Sequence, residues 1–103
     1  MRFIKPINLN EKSFIMDVRL PEEQAVEEIG LPHINQDLET LDPAEFIKEN
    51  NIGKNETINI LCSSGGRASQ AAEMFEKAGF NNVAVVIGGL VEAEYEGVPI
   101  IRH

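Results

Sequence analysis

Apolar residues along this chain fall into short runs separated by polar stretches rich in glycine and proline, and between the runs they recur at helical spacing. Thr57 to Leu61 is a run of β-branched and aliphatic side chains, the pattern of a strand buried on both faces of a parallel sheet. Ser13 to Val18, through Phe14, Ile15, Met16 and Val18, and Val83 to Ile87 read the same way. Phe3, Ile4 and Ile7 predict a short leading strand at a sheet edge, interrupted at Pro6 because proline cannot donate to a ladder. Helical spacing appears at Ala68, Ala71, Ala72, Phe75 and Ala78, with Gly79 as the stop. Pro21 to Ile29 predicts a second helix, with Glu22 and Glu23 at its positive end and Gly30 terminating it. Asp42, Pro43 and Glu45 form a strong helix start that turns Phe46 and Ile47 toward the sheet, and Leu90 to Tyr95 predicts a last short helix. Strand and helix alternate, so right-handed crossovers give an α/β fold. The sheet is mainly parallel, of four to five strands, with helices on both faces.

The strand ending at Leu61 leads into the stretch that carries chemistry. Cys62 is followed by Ser63, Ser64, Gly65, Gly66 and Arg67, and then by the alanine-rich helix. Adjacent glycines permit the positive φ angles that curl backbone N–H groups around one point. A cysteine among such donors, at a helix N-terminus and beside an arginine, is favoured as the thiolate, which is the nucleophile. The same donors can hold an oxyanion, a terminal persulfide sulfur or a sulfonate leaving group. A cysteine that only fills space is the bland alternative. It does not call for Ser-Ser-Gly-Gly-Arg behind it, and the strand-to-helix junction of an open α/β sheet is the usual ligand position.

Composition narrows the partners. The 103 residues make one domain, spanning 1–103, with 9 Lys and Arg against 17 Asp and Glu and a formal net charge of −8. That balance disfavours nucleic acid and anionic membranes as partners. A single cysteine excludes an internal disulfide and a cysteine zinc cluster, and a thiol that must stay reduced fits the cytoplasm. No apolar run is long enough for a signal sequence or a membrane span. His33 has no second histidine near it in sequence, so no metal role is expected, and the terminal His103 is expected to be solvated.

The loop from Cys62 to Arg67 resembles the active-site loop of the rhodanese, or thiosulfate sulfurtransferase, family. Phe14 to Arg19, FIMDVR, resembles the family's first-strand signature, followed by the expected acidic residues Glu22 and Glu23. Ala78 to Phe80, Asn82 to Gly89 and the closing Gly97 to Pro99 match further pieces in order, so the resemblance covers nearly the whole chain. It implies a single rhodanese-like domain in which Asp17, with Arg19, ties loops near the site without taking part in catalysis. His33, in GLPHIN, resembles the family's structural histidine displaced by two residues. Two departures stand out. Ser63 occupies a place where thiosulfate-using members commonly carry arginine, and Ala93 stands where a tryptophan is frequent, in an acidic corner with Glu92, Glu94 and Glu96 that is expected to be opened up.

The activity that follows is a sulfurtransferase without metal or organic cofactor. Cys62 carries sulfane sulfur as a persulfide held by the backbone N–H groups of Ser63 to Arg67, and passes it to cyanide, a thiol or a partner protein. The donor is a polysulfide, thiosulfate or a protein persulfide, with thiosulfate disfavoured by the missing cation. Two alternatives are a rhodanese-fold module used for binding or redox sensing through Cys62, and a dual-specificity-type phosphatase. The latter space cysteine and arginine by five residues, whereas four separate Cys62 from Arg67.

Overall fold

The computed structural model describes residues 1–103. In chain order the elements are β1 (Arg2–Ile4), β2 (Phe14–Asp17), α1 (Pro21–Val26), β3 (Glu27–Ile29), β4 (Ile34–Asn35), α2 (Pro43–Glu49), β5 (Ile58–Leu61), α3 (Gly66–Lys77), β6 (Val83–Val86), α4 (Gly89–Tyr95) and β7 (Ile100–Arg102). Short 3-10 turns occupy Pro6–Asn8 and Leu38–Thr40.

Five strands form one parallel sheet in the order β1-β6-β5-β2-β4. β5 and β6 lie inside it and every residue of both is buried, which is why each reads as an unbroken apolar run. β1 is an edge strand that ends before Pro6, as its sequence predicts, and the two-residue β4 is the other edge. The cysteine strand is therefore central, and Asp17 of β2 sits level with Leu61 across the β2–β5 ladder.

The pleat sends alternate side chains to two cores. Met16, Ile58, Ile60 and Val85 pack with Phe46 of α2 and with Ala68, Ala71, Ala72 and Phe75 of α3. The alanines let α3 approach the sheet closely, while Phe14, Phe46, Phe75 and Phe80 form a chain of edge-on ring contacts with centroids 6.0–6.2 Å apart. On the other face Ile15, Leu61 and Val86 pack with Leu90 and Ala93 of α4 and with Ile29 and Val98. Asp42 caps α2 through its Oδ1, which accepts the Glu45 N–H at 3.2 Å.

The helix expected over residues 21–29 is shorter. It stops at Val26, and Glu27–Ile29 instead pair antiparallel with β7, a strand absent from the sequence reading. Tertiary contacts decide this. Ile29 is fully buried in the second core, and the Gly30 N–H donates to the Pro99 carbonyl at 2.7 Å. A Cβ on Gly30 would lie 2.8 Å from that of Pro99, so glycine here serves a close backbone approach and not a helix stop. The same pairing brings the two histidines together. His103 donates its backbone N–H to Val26 and its Nε2 lies 2.6 Å from Glu28, whose carboxylate also meets His33 Nε2 at 2.9 Å. Two histidines far apart in sequence thus share one carboxylate, and His103, half exposed, is anchored by it.

Candidate active site

Cys62 follows the last residue of β5 at the carboxyl end of the sheet. Behind it the chain turns through Ser63 and Ser64 to Gly65, whose φ of 115° is open to glycine at little cost, and α3 starts at Gly66. The turn brings the Gly65 N–H to 2.8 Å from Cys62 Sγ. Of the loop N–H groups expected to surround the sulfur, this is the one that bonds it in the resting chain. Cys62 itself is 1% exposed, so the thiol lies under the loop and not on its rim.

The loop is held from behind by α4. Leu90 and Val91 donate their backbone N–H groups to the carbonyls of Cys62 and Ser63, at 2.8 and 3.2 Å. Gly89, with φ of 60°, lies so close that a Cβ there would sit 2.3 Å from the Cys62 carbonyl oxygen. The second glycine of the Gly88–Gly89 pair is thus a requirement of the cysteine loop. The corner around Ala93 is closed, contrary to the expectation that it is opened up. Ala93 is fully buried among Leu90 and Val98, and its carbonyl accepts the Val98 N–H at 2.9 Å. A small residue lets the 97–98 turn pack down where a large ring would hold it away. The acidic side chains of that corner find partners: Glu96 accepts the Ile7 N–H at 2.9 Å and Glu94 pairs with Arg102.

Asp17 and Arg19 lie behind the site as a sequestered pair. Asp17 is 0% and Arg19 2% exposed. Both Asp17 oxygens take the Arg19 guanidinium at 3.1–3.2 Å, Oδ1 also takes the Arg19 backbone N–H at 2.9 Å, and Arg19 Nη2 donates to the Glu27 carbonyl at 2.8 Å. This knot joins the end of β2 to the start of β3, and Val18, between its two residues, donates its backbone N–H to the carbonyl of Leu61, next to Cys62, at 2.9 Å. Neither residue reaches the sulfur by a hydrogen bond.

Arg67 is turned to Glu23, a partner whose place in the site no sequence spacing predicts. Its Nη1 and Nη2 donate to Glu23 Oε1 and Oε2 at 2.6 and 3.0 Å, and Nη2 also reaches Ser63 Oγ at 3.1 Å. Ser63 Oγ in turn donates to Glu23 Oε2 at 2.9 Å. Glu23 stands in the first turn of α1, where its Oε1 also accepts the Leu20 N–H at 2.9 Å. These bonds, led by that from Arg67, draw the Glu23 carboxyl down to about 2, and the Glu23 hydrogen bond pushes the Arg67 guanidinium higher still. The sequence offered one signal for this contact, an acidic residue in the first turn after the Asp-Val-Arg strand. Spacing alone cannot pair residues 44 positions apart.

Ser64 is exposed and makes no side-chain hydrogen bond. Beside Ser63 opens a shallow depression of about 350 Å³ lined by Arg19, Glu22, Glu23, Val26, Glu27 and Ser63. The arrangement can do nucleophilic chemistry: a cysteine at the end of a central strand, a backbone donor on its sulfur, and a guanidinium in the first turn of the helix that follows.

A family model for the rhodanese-like domain matches residues 5–95. The chain belongs to the rhodanese-like domain family. A curated relative, thiosulfate sulfurtransferase 16 of the chloroplast of Arabidopsis thaliana, is 30% identical over 91 residues, covering 82% of this chain and 76% of the relative. A rhodanese-related protein from Thermoplasma volcanium superimposes with a TM-score of 0.77 at 27% identity, covering 98% of each chain. An E. coli rhodanese solved with anions superimposes with a TM-score of 0.70 at 27% identity, covering 88% of this chain and 99% of its own. This rhodanese-like domain thus has the expected fold and a sulfurtransferase among its relatives. No helix in it is long and apolar enough to cross a membrane.

Proposed function

We propose that this rhodanese-like domain is a sulfurtransferase that carries sulfane sulfur on Cys62. The observation that carries the reading is the contact of the Gly65 N–H with Cys62 Sγ at 2.8 Å inside a loop of only four intervening residues. Such a ring suits a single sulfur and is tight for a tetrahedral phosphate. The Cys62 thiolate attacks the outer sulfur of a donor; a new S–S bond forms as the donor's own S–S bond breaks, and its bonding pair leaves with the carrier thiolate, or with sulfite when thiosulfate is the donor. In the second half a nucleophile, such as cyanide, a thiol or a partner protein's cysteine, attacks the outer sulfur of the Cys62 persulfide and regenerates the Cys62 thiolate. No net oxidation or reduction of the protein occurs over the cycle. A reducing compartment such as the cytoplasm suits this use of a lone thiol.

Intact-mass measurement tests the reading directly. Exposure to polysulfide, thiosulfate or a sulfane-loaded protein is expected to add about 32 Da to the wild type and nothing to Cys62→Ser, and cyanide is expected to remove the addition. A second reading, a redox-sensing or binding module, draws on the 1% exposure of Cys62, which is also what a packing thiol shows. Peroxide oxidation at Cys62 with no sulfur loaded by any donor would favour it over transfer.

A further inference from the structure

The depression beside Ser63 has an unusual charge for a site meant to receive a dianion. Glu22, Glu23 and Glu27 line it against one cation, Arg19, and that cation is already bound to Asp17 and to the Glu27 carbonyl. The cation of the loop, Arg67, is engaged by Glu23 through both of its terminal nitrogens, and the Ser63 hydroxyl is held in the same knot. An anionic donor therefore meets a neutralised guanidinium behind a negative rim. It must displace the Glu23 carboxylate before it can use Arg67, and with its carboxyl drawn down to about 2, Glu23 stays ionised at every ordinary pH. A donor with no excess negative charge has nothing to displace, and a cationic carrier is attracted by the rim.

We infer that Glu23 is a specificity-determining residue that, by holding Arg67 and Ser63, selects persulfides on uncharged or cationic carriers and turns away doubly charged donors such as thiosulfate. This rests on the sulfur-transfer reading of Cys62. It goes further by assigning the choice of donor to a residue on α1, outside the cysteine loop. Sulfur passes as described above, the carrier thiolate leaving with the pair from the broken S–S bond.

The test compares thiosulfate with cysteamine persulfide, whose carrier bears an ammonium, on the wild type and Glu23→Gln. The ratio of kcat/KM for thiosulfate to that for cysteamine persulfide is expected to rise roughly tenfold or more in Glu23→Gln, chiefly through a lower KM for thiosulfate. On the wild type alone, added KCl is expected to raise kcat/KM for thiosulfate and lower it for cysteamine persulfide, a sign that holds whether or not the variant folds. An unchanged or falling ratio in a folded Glu23→Gln, or salt effects of the opposite sign, would overturn the role of Glu23 while leaving sulfur transfer intact. If neither donor adds sulfur to wild-type Cys62, the sulfur-transfer reading itself falls and this one with it. Sulfite binding to the two proteins, followed by calorimetry, separates these cases without turnover: Glu23→Gln is expected to bind the anion more tightly.

Discussion

Two carboxylate–guanidinium pairs flank the cysteine loop, and their differences divide scaffold from site. Asp17 and Arg19 are two positions apart on one strand end, with side chains 0% and 3% exposed and most polar atoms satisfied within the knot. Glu23 and Arg67 come from α1 and α3, with side chains 31% and 33% exposed, and their shared third partner is a serine of the loop itself. The same chemistry serves opposite ends. A buried pair is costly to form and more costly to break, so it fixes one geometry, whereas a solvated pair contributes little to stability and can exchange partners.

The comparison can be broken most severely at its buried end. Asp17→Ala leaves Arg19 as an uncompensated buried charge and is expected to cost about 3–5 kcal/mol, read from the urea unfolding midpoint. Next comes a change that touches neither charge. Gly89→Ala forces a side chain onto the Cys62 carbonyl from a backbone with φ of 60° and is expected to cost about 1–3 kcal/mol or more, together with loss of sulfur loading as the loop is displaced. Glu23→Gln is expected to change stability by only about 1 kcal/mol or less, since solvent screens a pair that is a third exposed. Its effect belongs to donor choice. If it destabilises as strongly as Asp17→Ala, the division drawn here between the two pairs is wrong.

Acid provides a finer reading of the site pair. The Glu23 carboxyl is lowered from 4.5 to about 2 by Arg67, so the pair's contribution is fully present above about pH 4.5 and is lost as pH falls toward 2. A carbon-13 NMR titration of the Glu23 carboxyl should show its midpoint well below those of unpaired glutamates, and Arg67→Gln should return it toward 4.5. The smallest effect lies on α4. Glu92, hydrogen-bonded to Glu96, has its carboxyl raised, so ionising the pair opposes folding slightly and protonation relieves it. Glu96→Gln is therefore expected to lower the Glu92 midpoint, by the same kind of titration.

Much of the molecule was readable before folding. The buried strands β5 and β6, the alanine stripe of α3, the Asp42 cap and the Cys62 to Arg67 loop are all local patterns, each specified within a dozen residues by periodicity, turn chemistry and capping. What the sequence did not give away is the set of contacts that join distant segments. The helix pattern of residues 21–29 yields to the β3–β7 pairing because burying Ile29 and pairing backbone with residues some seventy positions away outweighs a propensity worth only tenths of a kcal/mol per residue. The closing of the Ala93 corner, the meeting of His33 and His103 on Glu28, and the grip of Glu23 on Arg67 follow from the same cause. Local sequence determined the elements and the Cys62 loop; tertiary packing decided which charges face one another across that loop, because such pairings depend on where the chain returns in space and leave no period in the sequence.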